Sequence, residues 1–177
     1  MLTREDILNH LRRLGELLHE QGLRGEIMLT GGAAMCLVHS ARDMTKDVDA
    51  LYEPKNEINR LAAQIAKEQG LPEDWLNDGV KGFVTESATV EDFTAFDGLK
   101  ITTVTPEYLL AMKLISARYG EKDAEDIHFL LGKLNIRTME KASEILLSFY
   151  PVERILPKTR YLLEEYFADL EEDQAQG

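Results

Sequence analysis

Glu26-Ile-Met-Leu-Thr-Gly-Gly-Ala-Ala-Met-Cys-Leu-Val-His39, followed by Arg42-Asp-Met-Thr-Lys-Asp-Val-Asp-Ala-Leu51, is the stretch whose reading decides the fold. Glu26 to Thr30 is short and apolar and reads as a buried strand. Gly31-Gly32 follows at once, and Ala33 to His39 reads as a helix. Met44 to Tyr52 contains a second strand. A strand, a glycine turn and a helix together set backbone N–H groups against an anion. Glycine lets a phosphate approach with no side chain in the way. On its own this pattern also occurs in plain turns. Residues two apart on a strand share a face, so Asp47 and Asp49 project together while Val48 packs on the other side. Paired carboxylates repel unless a cation sits between them, and magnesium, or manganese, suits such a pair. An exposed edge strand with two solvated acids is the other reading.

The elements around this stretch predict an α+β protein, a small mixed sheet flanked by helices. Thr3 and Asp6 form a capping-box pattern ahead of Ile7, Leu8, Leu11, Leu14, Leu17 and Leu18 at helical spacing, and Gly22 stops that helix. Pro54 opens another helix, with Ile58, Leu61, Ala62, Ile65 and Ala66 on one face and Gly70 at its end. Leu71 to Gly79 reads as a loop or short helix. Strands are expected over Val80 to Thr85, Thr89 to Phe96 and Leu99 to Val104, the last two joined by an Asp97-Gly98 hairpin turn. Thr105-Pro106 is a cap followed by a first turn. Helices follow over Glu107 to Tyr119, Ala124 to Leu134, Met139 to Phe149 and Lys158 to Leu170. We expect a core over residues 1–105 and a helical part over 106–177 that packs on it.

The bulk properties narrow the partners. With 177 residues the chain fits one domain or a core with a helical extension. No apolar run is long enough to cross a membrane, and the N-terminus lacks a basic stretch leading into an apolar one, so no secretory signal is expected. Cys36 is the single cysteine, which excludes an internal disulfide and a cysteine zinc cage and suits a reducing cytoplasm. Four histidines show no ligand spacing among themselves. The net charge of −12 favours a small substrate or a protein partner over nucleic acid. Cys36 and Trp75 read as packing residues, and the acids from Glu164 to Asp173 as a solvated helix end.

A phosphate cradle joined by one helix to a carboxylate pair is what nucleotidyl transfer requires: one element holds the polyphosphate, the other the metal that neutralises it. Gly31-Gly32 with Arg42-x-x-Thr45-x-Asp47-Val-Asp49 resembles the signature of the nucleotidyltransferase superfamily, which includes polymerase beta and the minimal nucleotidyltransferases. The Gly-Gly form is similar to the AbiEii-type toxin branch. Leu71-Pro-x-Asp-Trp-Leu-Asn-Asp78 and Pro106-Glu-Tyr-Leu-Leu-Ala-Met-Lys113 look like a bacterial branch of that superfamily, and the likeness runs from about Leu2 to Tyr166.

The resemblance implies that Gly31 and Gly32 bind a nucleoside triphosphate, that Asp47 and Asp49 hold magnesium, and that Arg42 and Thr45 flank the site. The superfamily usually has a third carboxylate on a later strand; Glu91, Asp92 and Asp97 are the candidates. Lys113 interrupts an apolar helical stripe, so its ammonium must snorkel or find an anion. The resemblance includes a lysine here and an aspartate one helix later, in Arg118-x-x-x-Lys122-Asp123-x-x-Asp126. Lys113 therefore either reaches the triphosphate or pairs with Asp126. Transfer to an acceptor hydroxyl is the expected activity, the acceptor being a protein, a tRNA or a small molecule. The other expectation is a non-catalytic interaction module, such as one partner of a toxin–antitoxin pair.

Overall fold

A computed structural model of the chain describes residues 1–116 and 121–176, without the side chains of 121–122 and 171–176. Arg118, the Lys122 side chain, the last turn expected up to Tyr119 and the acids at 171–173 lie outside the described residues. The chain divides into two compact units, residues 1–82 with 90–104, and residues 83–89 with 105–177.

The first unit is built on a mixed five-stranded sheet. Its strands are β2 (Gly25–Leu29), β4 (Val48–Glu53), β5 (Leu76–Asn77), β6 (Val90–Phe96) and β7 (Leu99–Val104), in the order β5-β4-β2-β7-β6. β2 runs antiparallel to β4 and parallel to β7, while β4 and β5 are parallel. β1 (Leu2–Thr3) and β3 (Met44–Thr45) form a separate antiparallel pair, with Leu2 opposite Thr45.

Burial alternates along the central strands. Ile27, Leu29, Ala50, Tyr52, Leu99 and Ile101 are buried, while Met28, Asp49, Leu51 and Thr102 between them are only half-buried. The sheet therefore has one core face and one more open face. Helices α1 (Arg4–Glu20) and α3 (Lys55–Gln69) supply Ile7, Leu11, Leu14, Leu18, Ile58, Leu61 and Ile65 to the same core. The α1 start follows its capping signal: Thr3 accepts from Asp6 N–H and Asp6 accepts from Thr3 N–H at 2.9 Å. Trp75 is buried, and its indole N–H donates to the Ala62 carbonyl at 3.0 Å.

Three expected elements differ. The stretch Met44 to Tyr52 breaks into β3 and β4, so Asp47 precedes β4 instead of lying within it. Leu71 to Gly79, expected as loop or short helix, contributes β5. Val80 to Thr85, expected as a strand, holds a 3-10 helix over Gly79–Phe83, because the Asn77 side chain captures the Gly79 N–H at 2.9 Å and Lys81 N–H turns back to the Asp78 carbonyl.

The second unit holds α4 (Pro106–Ser116), α5 (Glu121–Lys133), α6 (Met139–Phe149) and α7 (Pro157–Gln176). Two buried tyrosines tie residues 83–89 to these helices. Tyr108 Oη accepts the Thr85 N–H at 2.8 Å, and Tyr150 Oη donates to the Phe83 carbonyl at 2.6 Å. The Thr159 hydroxyl joins α7 to α4 through the Leu114 carbonyl at 2.9 Å. Among the described residues no helix is long and apolar enough to cross a membrane.

Candidate functional site

β2 delivers the chain to Thr30, which is fully buried; its N–H and its hydroxyl both donate to the Asp49 carbonyl at 3.0 Å. That double bond fixes the end of β2 against the start of β4. Gly31 then takes φ +53°, the left-handed region that disfavours a side chain, and opens α2 (Gly31–Leu37). The expected helix start at Ala33 is thus two residues late. A β-carbon on Gly31 would lie 2.8 Å from Asp49 Oδ2. One on Gly32 would overlap the Thr45 hydroxyl and lie 3.3 Å from Arg42 Nη1. Both glycines are required by close approach, and what they approach are the sequence-selected residues Asp49, Thr45 and Arg42.

Thr45 is 4% exposed and held by β1–β3 pairing to Leu2, with its hydroxyl against Gly32. Arg4, in the first turn of α1, donates to the Leu37 carbonyl at the far end of α2. The N-terminal segment therefore braces both the glycine helix and the Thr45 strand. Asp49 alternates in β4 with buried Val48 and Ala50, which puts its carboxylate on the more open side, and Asp47, also half-buried, lies in the bend just before the strand. Magnesium is commonly held by one or two carboxylates, the rest of its octahedron coming from substrate phosphates and water. This donor set fits such an ion. Among the described residues no group of three or more acids, histidines or cysteines converges as a complete metal cage.

The third-carboxylate candidates fall elsewhere. Glu91 pairs with Thr103, in the register row of buried Leu29 and Ala50, and so belongs to the opposite face. Asp92 shares the open face, but β6 stands three strands from β4, roughly 14 Å away, and Asp92 pairs with Lys100 at 3.0 Å. Asp97 lies at the β6–β7 turn, the opposite end of β7 from Thr103. The residue that the sheet sets beside Asp49 is Asn77, its direct partner in the parallel β4–β5 register. Nothing in the sequence marks that pairing, because β5 is two residues long.

In the helical unit, Lys113 on α4 pairs with Asp123 at 3.0 Å and Asp126 at 2.8 Å, both on α5. The Lys113 side chain is 12% exposed and that of Asp126 5% exposed. Of the outcomes open to Lys113, pairing with Asp126 is the one displayed, and Asp123 joins it. Cys36 is core; burial pushes its thiol pKa up, against the opposing pull of Arg4 and Arg42.

A glycine turn closed on a carboxylate strand, in a mixed α+β sheet, defines the chain as nucleotidyltransferase-like. The family comparison agrees: residues 7–154 match the model of DUF6036, described as a nucleotidyltransferase of unknown function, and the chain belongs to that family. The match gives the class and not the AbiEii-type branch. No curated protein and no solved structure matches the chain.

Proposed function

We propose that this protein binds a nucleoside triphosphate with a divalent cation and transfers the nucleotidyl group to an acceptor hydroxyl. The observation that carries this is the closure of Gly31 and Gly32 on Asp49, Thr45 and Arg42. A side chain at either position would collide with Asp49 or Thr45, so the two glycines let a carboxylate, a hydroxyl and a guanidinium close on the turn. The backbone N–H groups after Thr30, the Thr45 hydroxyl and the Arg42 guanidinium suit the phosphate oxygens. Asp47 and Asp49 would hold magnesium or manganese, which neutralises phosphate charge and orients the α-phosphate. The acceptor hydroxyl then attacks the α-phosphorus and releases its proton to water; its P–O bond forms as the bond from the α-phosphorus to the bridging β-phosphate oxygen breaks, and pyrophosphate leaves.

A non-catalytic module of the same fold is the second reading, favoured by one observation: no third acid joins Asp47 and Asp49 among the described residues. Incubation with radiolabelled nucleoside triphosphates, magnesium and candidate protein, tRNA and small-molecule acceptors separates the two. Transfer that stops in Asp49→Asn supports the enzyme. Nucleotide binding without transfer to any acceptor class supports the module, and no binding refutes the enzyme.

A further inference from the structure

Trp75, the chain's single tryptophan, touches both the N-terminal helix and the carboxylate strand. Its indole N–H is anchored on the Ala62 carbonyl of α3, and its own carbonyl accepts the Val48 N–H at 2.7 Å. Val48 is the residue between Asp47 and Asp49, so whatever fixes Trp75 fixes the segment that carries both acids. The indole ring also meets His10 of α1, with ring centres 5.4 Å apart and planes at 65°. His10 is half-buried. A neutral imidazole packs there without cost, whereas an imidazolium needs water or an anion. Burial holds His10 below its ordinary value, against the pull of Asp6 one turn back on the same helix. Asp6 is itself fixed, accepting from the Thr3 N–H at 2.9 Å and the Thr3 hydroxyl at 2.7 Å. It is a standing anion toward which a charged His10 turns. Ala62, the α3 residue at the indole, carries no charge, and Glu73 and Asp74, which lead into Trp75, are exposed.

We propose that Trp75 is a positioning residue for the Asp47–Asp49 segment and that His10, packed on its ring, makes that hold depend on pH. With His10 neutral, the two rings pack and the Trp75 carbonyl fixes Val48. Protonation draws His10 toward Asp6 and water, the indole loses that neighbour, and the Val48 bond loosens. The folded chain keeps His10 neutral at a pH where the unfolded chain has protonated it. The contribution is therefore complete above about pH 6.5 and is lost as pH falls through the lower folded value. The consequence for metal rests on the nucleotide-binding reading above: acid weakens metal binding before the carboxylates themselves titrate, near about pH 4.

The full chain supplies its own probe, because indole emission responds to the charge of an imidazole in contact with it. Wild-type emission should change with a midpoint below about pH 6.5, and the change should be absent from His10→Phe, which keeps a ring that cannot titrate. His10→Gln serves in its place if the bulkier ring disturbs α1. Amide exchange followed by NMR reads the Val48 N–H directly. Its protection should fall about tenfold or more from about pH 7.5 to about pH 5 in wild type and hold in the variants. Mn2+ alone is then titrated and followed by paramagnetic resonance, with Asp49→Asn as background. The Asp49-dependent affinity should weaken about fivefold or more over the same pH range in wild type only, and by reciprocity Mn2+ should lower the emission midpoint. A histidine that only stabilises the fold would not shift its midpoint with metal.

An emission midpoint at or above about pH 6.5 overturns the proposal, because the ring would then favour the charged imidazole. Val48 protection that follows pH alike in wild type and both variants overturns the positioning by Trp75. Asp49-dependent Mn2+ binding with the same pH response in wild type and variants overturns the link to the metal. Absence of any Asp49-dependent Mn2+ binding at about pH 7.5 is instead a failure of the site reading, and Val48 exchange then still decides the positioning.

Discussion

Alanine in place of Gly31 has to adopt φ +53° and to seat its β-carbon 2.8 Å from Asp49 Oδ2. The backbone part costs about 1–2 kcal/mol. The contact falls roughly 0.7 Å short of van der Waals separation, so the Asp49 carboxylate has to swing away. For a chain of this size about 1–2 kcal/mol lowers Tm by about 2–8 °C. Gly70 separates the two effects: its φ is +66° and nothing lies within 4 Å of where its β-carbon would go. Gly70→Ala therefore carries a similar backbone cost with no contact to the site. In scanning calorimetry, a saturating nucleotide at about a hundred times its Kd should raise wild-type Tm by about 5–11 °C with magnesium present. Gly70→Ala should lose stability and keep that shift. Gly31→Ala, with the carboxylate displaced and affinity down about a hundredfold, should retain about 1 °C of it. A full shift in Gly31→Ala, at unchanged nucleotide concentration, would show that the glycine–carboxylate contact is mere packing.

Two further perturbations probe the helical unit. Lys113→Met removes the cation from two carboxylates, one of them almost fully buried, and should destabilise by about 3 kcal/mol in urea unfolding. Adding Asp126→Leu should recover part of the loss, and a Lys113→Met chain as stable as wild type would contradict a working ion triad. Burial, and then the neighbouring Tyr108, pushes the Tyr150 phenol well above its ordinary value. The folded state keeps this proton at a pH where the unfolded chain has lost it, so stability should fall as pH rises past about 10. Tyr150→Phe should flatten that fall between pH 9 and 11, and an unchanged alkaline slope would remove Tyr150 as its cause.

The parts legible in the sequence are those set by local chemistry. The capping box of Thr3 and Asp6, the apolar stripe of α3 ending at Gly70, the Asp97-Gly98 hairpin and the glycine turn beside Asp49 all depend on residues close in sequence or on one strong periodicity. The misread parts depend on distant partners. Val80 to Thr85 has strand-like composition, yet among the described residues no strand pairs with it, and the Asn77 side chain starts a 3-10 turn instead. β5 is too short to show a period and exists through its register with β4. For the same reason the sequence does not show that Asn77 lies beside Asp49, whereas Glu91, Asp92 and Asp97 stand out as acids on or next to visible strands. Lys113 was legible as an anomaly on an apolar face; its second partner, Asp123, became clear only from the α4–α5 pairing.

The central claim is that Asp47 and Asp49, with the Gly31-Gly32 turn, bind a nucleoside triphosphate through a divalent cation. Isothermal titration of ATP into the full chain, with magnesium and then with chelator, tests it most directly when repeated on the Asp47→Asn/Asp49→Asn variant. The account predicts binding in wild type that chelator weakens by tenfold or more, about 1.4 kcal/mol, and a double variant that stays folded and binds ATP weakly and equally with or without magnesium. Equal, magnesium-dependent affinity in wild type and double variant would contradict it.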